Sequence, residues 1–81
     1  MDGKVVTSLN NLANCLRQQG KLQEAEPLYQ RALDLKKKIG GHFHKDLVMI
    51  LQNYAKLLRA AGRESEAAKL ESQAQAIFSK Q

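Results

Sequence analysis

Cysteine and proline each occur once in the 81 residues, as Cys15 and Pro27, and tryptophan does not occur at all. A single cysteine forms no internal disulfide, so the fold must hold without covalent staples and nothing points to an oxidising compartment; the cytoplasm is the expected location. One proline leaves long stretches free of breakers and excludes collagen-like and Pro-rich disordered classes. No apolar run approaches the roughly 18 residues that a membrane span requires, and Met1-Asp2-Gly3-Lys4 lacks the charged-then-apolar layout of a secretory leader. Aromatics are limited to Tyr29, Phe43, Tyr54 and Phe78, too few to build a basic surface with stacking rings for single-stranded nucleic acid. Acidic residues are also short, eight against thirteen Lys and Arg for a net charge of +5. That surplus is spread along the chain and favours an acidic partner ahead of nucleic acid.

What the chain does have is 43% apolar residues and an internal repeat. A domain of this size buries only about 60% of the surface its unfolded chain exposes, so a folded but thin core is expected. Offsetting the sequence by 42 residues pairs Val6 with Val48, Leu9 with Leu51, Asn11 with Asn53, Ala13 with Ala55, Leu16 with Leu58 and Arg17 with Arg59. Further along it pairs Gly20 with Gly62, Glu24 with Glu66, Ala25 with Ala67, Leu28 with Leu70, Ala32 with Ala74 and Lys38 with Lys80. Average composition supplies roughly two such identities by chance over this length. A period of this size marks stacked supersecondary units, each burying its apolar face on a neighbour.

Inside each unit the apolar spacing is helical. Leu9, Leu12, Ala13 and Leu16 stand at i, i+3, i+4 and i+7, and Leu51, Tyr54, Ala55 and Leu58 repeat the stripe. Gly20-Lys21 and Gly62-Arg63 then interrupt the pattern where a left-handed helix cap belongs. A second stripe follows in each unit: Ala25, Leu28, Tyr29, Ala32 and Leu35, then Ala67, Leu70, Ala74 and Ile77. The small alanines let paired helices approach closely. Helices are predicted at about 4–18, 22–38, 46–60 and 64–79, with Gly40-Gly41 and His42 to Lys45 as linker and Asp46 as the cap of the third helix. Pro27 lies past the first turn of its helix, which costs one backbone bond and predicts a slight kink.

The run Leu9-Asn10-Asn11-Leu12-Ala13, then Leu16, Gly20, Glu24-Ala25-Glu26-Pro27-Leu28-Tyr29 and Arg31-Ala32-Leu33, resembles the kinesin-light-chain type of tetratricopeptide repeat, which is similar in its 42-residue spacing and in carrying Pro at this place. The resemblance implies an all-α fold: an α-solenoid of two tandem antiparallel helix hairpins, repeat 1 at about 4–39, linker 40–45 and repeat 2 at about 46–79. It also implies a non-catalytic scaffold or adaptor that holds a peptide or helix in a concave face lined by the first helix of each hairpin. The outward polar side chains of those helices are then Thr7, Asn10, Asn11, Asn14, Arg17 and Gln18, followed by Met49, Gln52, Asn53, Lys56 and Arg59. Asn10, Asn11, Asn14, Arg17, Gln52, Asn53, Lys56 and Arg59 are the expected partner-binding residues, since Asn and Gln both donate and accept and Arg offers a fixed fork of donors. Asn14 and Asn53 resemble asparagines of the carboxylate clamp of some relatives, but the lysine expected one turn before Asn14 is Asn10.

The second unit departs from the pattern at Glu71, where the first has Tyr29, and at Gln75, where it has Leu33. Polar residues there suit a terminal capping repeat. Val5, Leu9, Leu12 and Leu16 have no preceding helix to cover them, so the expectation is either the C-terminal piece of a longer array or self-association through the first helix. Asn11 and Asn53 can equally tie neighbouring helices together, and Arg17 and Arg59 can be ordinary solvated positions.

Chemistry finds little footing. His42, His44 and Asp46 fall short of the three or four well-spaced ligands of a zinc site. Cys15, between Asn14 and Leu16, reads as a small packed residue. Lys36-Lys37-Lys38 closes a helix, where cations offset the negative end of the dipole. No nucleophile with its base, phosphate loop or carboxylate pair assembles, so no enzyme, cofactor or metal is expected.

Overall fold

A computed structural model describes residues 3–39 and 45–79. It has four α-helices: α1 (Gly3–Gln18), α2 (Leu22–Ile39), α3 (Lys45–Ala60) and α4 (Glu64–Ser79). The chain divides into two compact units, residues 1–40 and 41–81. In the first, α1 packs on α2; in the second, α3 packs on α4. Each unit is therefore an antiparallel helical hairpin. Helix limits fall within one residue of the predicted ones, and the sharpest difference is at α3, where Lys45 is already helical and Asp46 stands in the first turn instead of preceding it. An acidic residue in the first turn is favoured by the positive end of the helix dipole.

The two hairpin turns are the same motif. Gly20 has φ 83° and Gly62 has φ 79°, the left-handed region that costs an L side chain free energy. Around Gly20, the Lys21 amide bonds to the Leu16 carbonyl at 2.8 Å and the Gly20 amide to the Arg17 carbonyl at 3.0 Å. Around Gly62, the Arg63 amide reaches the Leu58 carbonyl at 2.7 Å and the Gly62 amide the Arg59 carbonyl at 3.0 Å. This crossed pair is the Schellman arrangement, which satisfies carbonyls left open at a helix end. The carbonyls of Lys21 and Arg63 then accept from Ala25 and Ala67, each at 3.1 Å, so a single residue separates the glycine from the next helix.

Alanine lines the helix crossings as the sequence predicts: Ala13, Ala25 and Ala32 in the first hairpin and Ala55, Ala67 and Ala74 in the second are buried. Tyr29 fills the first core, while Ile50, Leu51, Leu57 and Leu58 are the large buried side chains of α3. Leu12 is uncovered, as expected where no helix precedes α1, and the reading of Cys15 as a packed residue is corrected. Leu12 is 51% exposed, although Tyr54, its counterpart 42 residues on, is only 7% exposed. The buried arc of α1 runs through Val6, Asn10 and Ala13, at i, i+4 and i+7, which leaves Leu12 on a flank with Val5. Cys15 is exposed as well, because its spacing from Val5, Ser8 and Leu12 puts it on that same flank; Gln19 Nε2 donates to its Sγ at 3.3 Å. A shallow hollow of about 320 Å³ lies along it, lined by Lys4, Val5, Ser8, Leu9 and Leu12.

Pro27 sits inside α2, which continues through it to Ile39. Lys36, Lys37 and Lys38 occupy the last turn of α2. No helix is long and apolar enough to cross a membrane among the described residues. Gly40 to His44, including the linker histidines, lie outside the described residues.

Candidate functional site

In the first hairpin, Asn14 and Arg17 of α1 are held by one buried phenol of α2. Tyr29, fully buried, donates its hydroxyl proton to Asn14 Oδ1 and accepts from Arg17 Nε at 3.2 Å. Burial raises the Tyr29 pKa above 10.0, and the Arg17 hydrogen bond and charge partly oppose the rise. A phenol beside a guanidinium satisfies both partners without placing an ion pair in the core.

These contacts decide where the sequence-predicted residues stand. Asn10 is only 6% exposed, so the expectation that it faces outward is corrected: it lies on the buried arc of α1 between Val6 and Ala13. Asn14 and Arg17 are half-buried and engaged with Tyr29, which also corrects the reading of Arg17 as an ordinary solvated position. Thr7, Asn11 and Gln18 are exposed.

In the second hairpin, the equivalent stretch is open. Val48, Gln52 and Lys56 of α3 and Glu71, Ala74 and Gln75 of α4 line a cleft of about 560 Å³. Its floor is apolar, from Val48 and Ala74, and its rim carries two amides and two charges. Gln52, Lys56 and Gln75 are exposed, Glu71 half-exposed, and Asn53 half-buried. Arg59 does not hang free in solvent: its Nε donates to Glu71 Oε2 at 3.2 Å, and its Nη2 donates to the other carboxylate oxygen. This two-pronged pairing is the geometry for which guanidinium and carboxylate are matched. Both side chains remain nearly half exposed, 46% for Arg59 and 45% for Glu71.

Beside the turn, Arg63 makes a similar fork onto Glu66, with Nε to Oε2 at 2.5 Å and Nη2 to Oε1 at 3.0 Å. The Arg63 hydrogen bond lowers the Glu66 pKa, with smaller contributions from the charges of Arg63 and Lys69.

Glu71 and Gln75 are the polar cleft residues that the expected binding set lacks, and Val48 and Ala74 are the apolar ones. The signal for the polar pair was in the 42-residue register, which puts Glu71 at the place of Tyr29 and Arg59 at the place of Arg17. Among the described residues, no group of three or more His, Cys, Asp or Glu side chains is arranged to hold a metal ion.

The family model described as tetratricopeptide repeat matches residues 4–80. No match is found among curated proteins or among solved structures.

Proposed function

The chain belongs to the tetratricopeptide repeat family, and we propose that it acts as a scaffold or adaptor that holds a peptide or helix of a partner protein against the outward side chains of α3. Repeats of this family generally serve protein–protein interaction. The observation that carries the reading is the α3/α4 cleft: an apolar floor with exposed Gln52, Lys56 and Gln75 at its rim offers both burial and backbone-pairing groups. The 42-residue spacing and Pro27 support a kinesin-light-chain-like variety, and the single Cys15 supports a cytoplasmic setting.

A selection of displayed random peptides against the full chain tests this, with captured peptides rebound to a Gln52→Ala/Lys56→Ala variant and to a Leu12→Ser variant. Both changes are at exposed positions, and unchanged helical circular dichroism certifies the fold. Peptides lost from the first variant and kept by the second support the reading. Peptides bound equally by both place recognition elsewhere and remove it.

A second reading, a structural or self-associating terminal segment, is favoured by one observation: Val5 and Leu12 are 43% and 51% exposed on one flank of α1. Burying two such side chains on a second copy removes apolar area from water at about 25 cal/mol per Å².

A further inference from the structure

Three features of the described surface stand apart from the hairpin cores: the Val5/Leu12 flank, exposed Cys15 on that flank, and the charge arrangement of the α3/α4 cleft. The last is the one whose chemistry specifies an occupant. The cleft holds one carboxylate, Glu71, and one ammonium, Lys56. Glu71 is already engaged, gripped at both oxygens by the Arg59 guanidinium. Lys56 makes no hydrogen bond or ion pair among the described residues. The charge offered to a ligand is therefore the single cation of Lys56, beside an amide at Gln52.

In the first hairpin the corresponding arginine is satisfied by the neutral phenol of Tyr29, so the carboxylate at position 71 is a particular feature of the second. Glu71 has the geometry that a ligand carboxylate would adopt on Arg59. We propose that Glu71 is a built-in competitor that sets the selectivity of the cleft: it occupies Arg59, leaves Lys56 as the recognition cation, and admits a partner segment bearing an isolated carboxylate next to small apolar side chains. A densely acidic segment is disfavoured, because its second carboxylate would meet Glu71 instead of Arg59. Replacing Glu71 removes the competing carboxylate and frees Arg59 as a second cation. This assignment rests on the peptide-binding reading above and names the chemistry of its partner.

The experiment is an amide NMR titration of the full chain with three short peptides of equal length: acetyl-Ala-Ala-Glu-Ala-Val-Ala-amide and its counterparts with Gln or Lys in place of Glu. With the acidic peptide, saturable shifts are expected at Gln52, Lys56 and Glu71. Affinity should rise roughly two- to fivefold in Glu71→Gln and fall by a similar factor in Lys56→Ala, the range an exposed charge pair spans. An affinity unchanged by Glu71→Gln overturns the competitor role, as do shifts spread equally over Lys36, Lys37 and Lys38. If the Gln or Lys peptide shifts the cleft amides while the acidic one does not, the charge assignment fails and peptide binding stands; if none of the three shifts them, both fail.

Discussion

Arg17 and Arg59 occupy the same place in the two hairpins and hold their acceptors at the same distance, 3.2 Å from Nε, yet one acceptor is the phenol of Tyr29 and the other the carboxylate of Glu71. The phenol is buried and also donates to Asn14; the carboxylate is half exposed at the rim of a cleft. One position on α2 and α4 thus decides whether the hairpin closes a core contact or opens a charged surface.

Tyr29→Phe keeps the ring and removes the bridge between Asn14 and Arg17. Losing a part-buried hydrogen bond of this kind costs about 1–2 kcal/mol, to be read as a lower urea midpoint at unchanged slope.

The same residue gives the fold an alkaline limit. The folded-state pKa of Tyr29 is raised above 10.0, so the folded protein keeps its phenolic proton where the unfolded chain has lost it. This contribution is fully present below pH 10 and is lost as pH rises through the raised value. Stability should fall across that window, and the part of the fall that disappears in Tyr29→Phe, measured by urea titration at successive pH values, belongs to this group.

Gly20→Ala and Gly62→Ala should each cost roughly 1–2 kcal/mol. A methyl group at either position meets nothing within 4 Å, so the penalty is purely that of positive φ. Asn substitutions, which tolerate that conformation better, should lose less. Equal melting temperatures for the Ala and Asn variants would contradict this account of the turns.

Ala13→Leu and Ala55→Leu insert bulk where the alanines have no exposed surface. Overpacking of about 1–3 kcal/mol is expected, seen as a drop in thermal midpoint. An unchanged melt would mean that these alanines do not stand at the helix crossings.

Leu12→Ser distinguishes the two functional readings. At an exposed position it should change monomer stability by less than about 0.5 kcal/mol. If α1 mediates self-association, the change abolishes any rise of molar mass with concentration in sedimentation equilibrium. A wild-type chain that stays monomeric at millimolar concentration excludes the self-associating segment.

The helices and turns were legible because their determinants are local. Glycine at a left-handed cap and alanine at the crossings act through backbone torsion and side-chain volume, which residue type specifies directly. Cys15 and Asn10 were not legible in the same way. A helical stripe says which residues share a face; it does not say which edge of that face the neighbouring helix covers. The packing direction of α1 on α2 buries Asn10 and leaves Cys15 outside, the reverse of their ordinary polarity.

The amino-acid sequence by itself therefore determined the 42-residue repeat, the two hairpins and the family, since periodicity and cap chemistry are properties of the chain. Only the tertiary structure decided that Arg17 serves a buried phenol, that Arg59 is held by Glu71, and that Lys56 makes no hydrogen bond or ion pair among the described residues. Those outcomes depend on which side chains from different helices come within hydrogen-bond reach, a distance of about 3 Å that no spacing along one helix can specify.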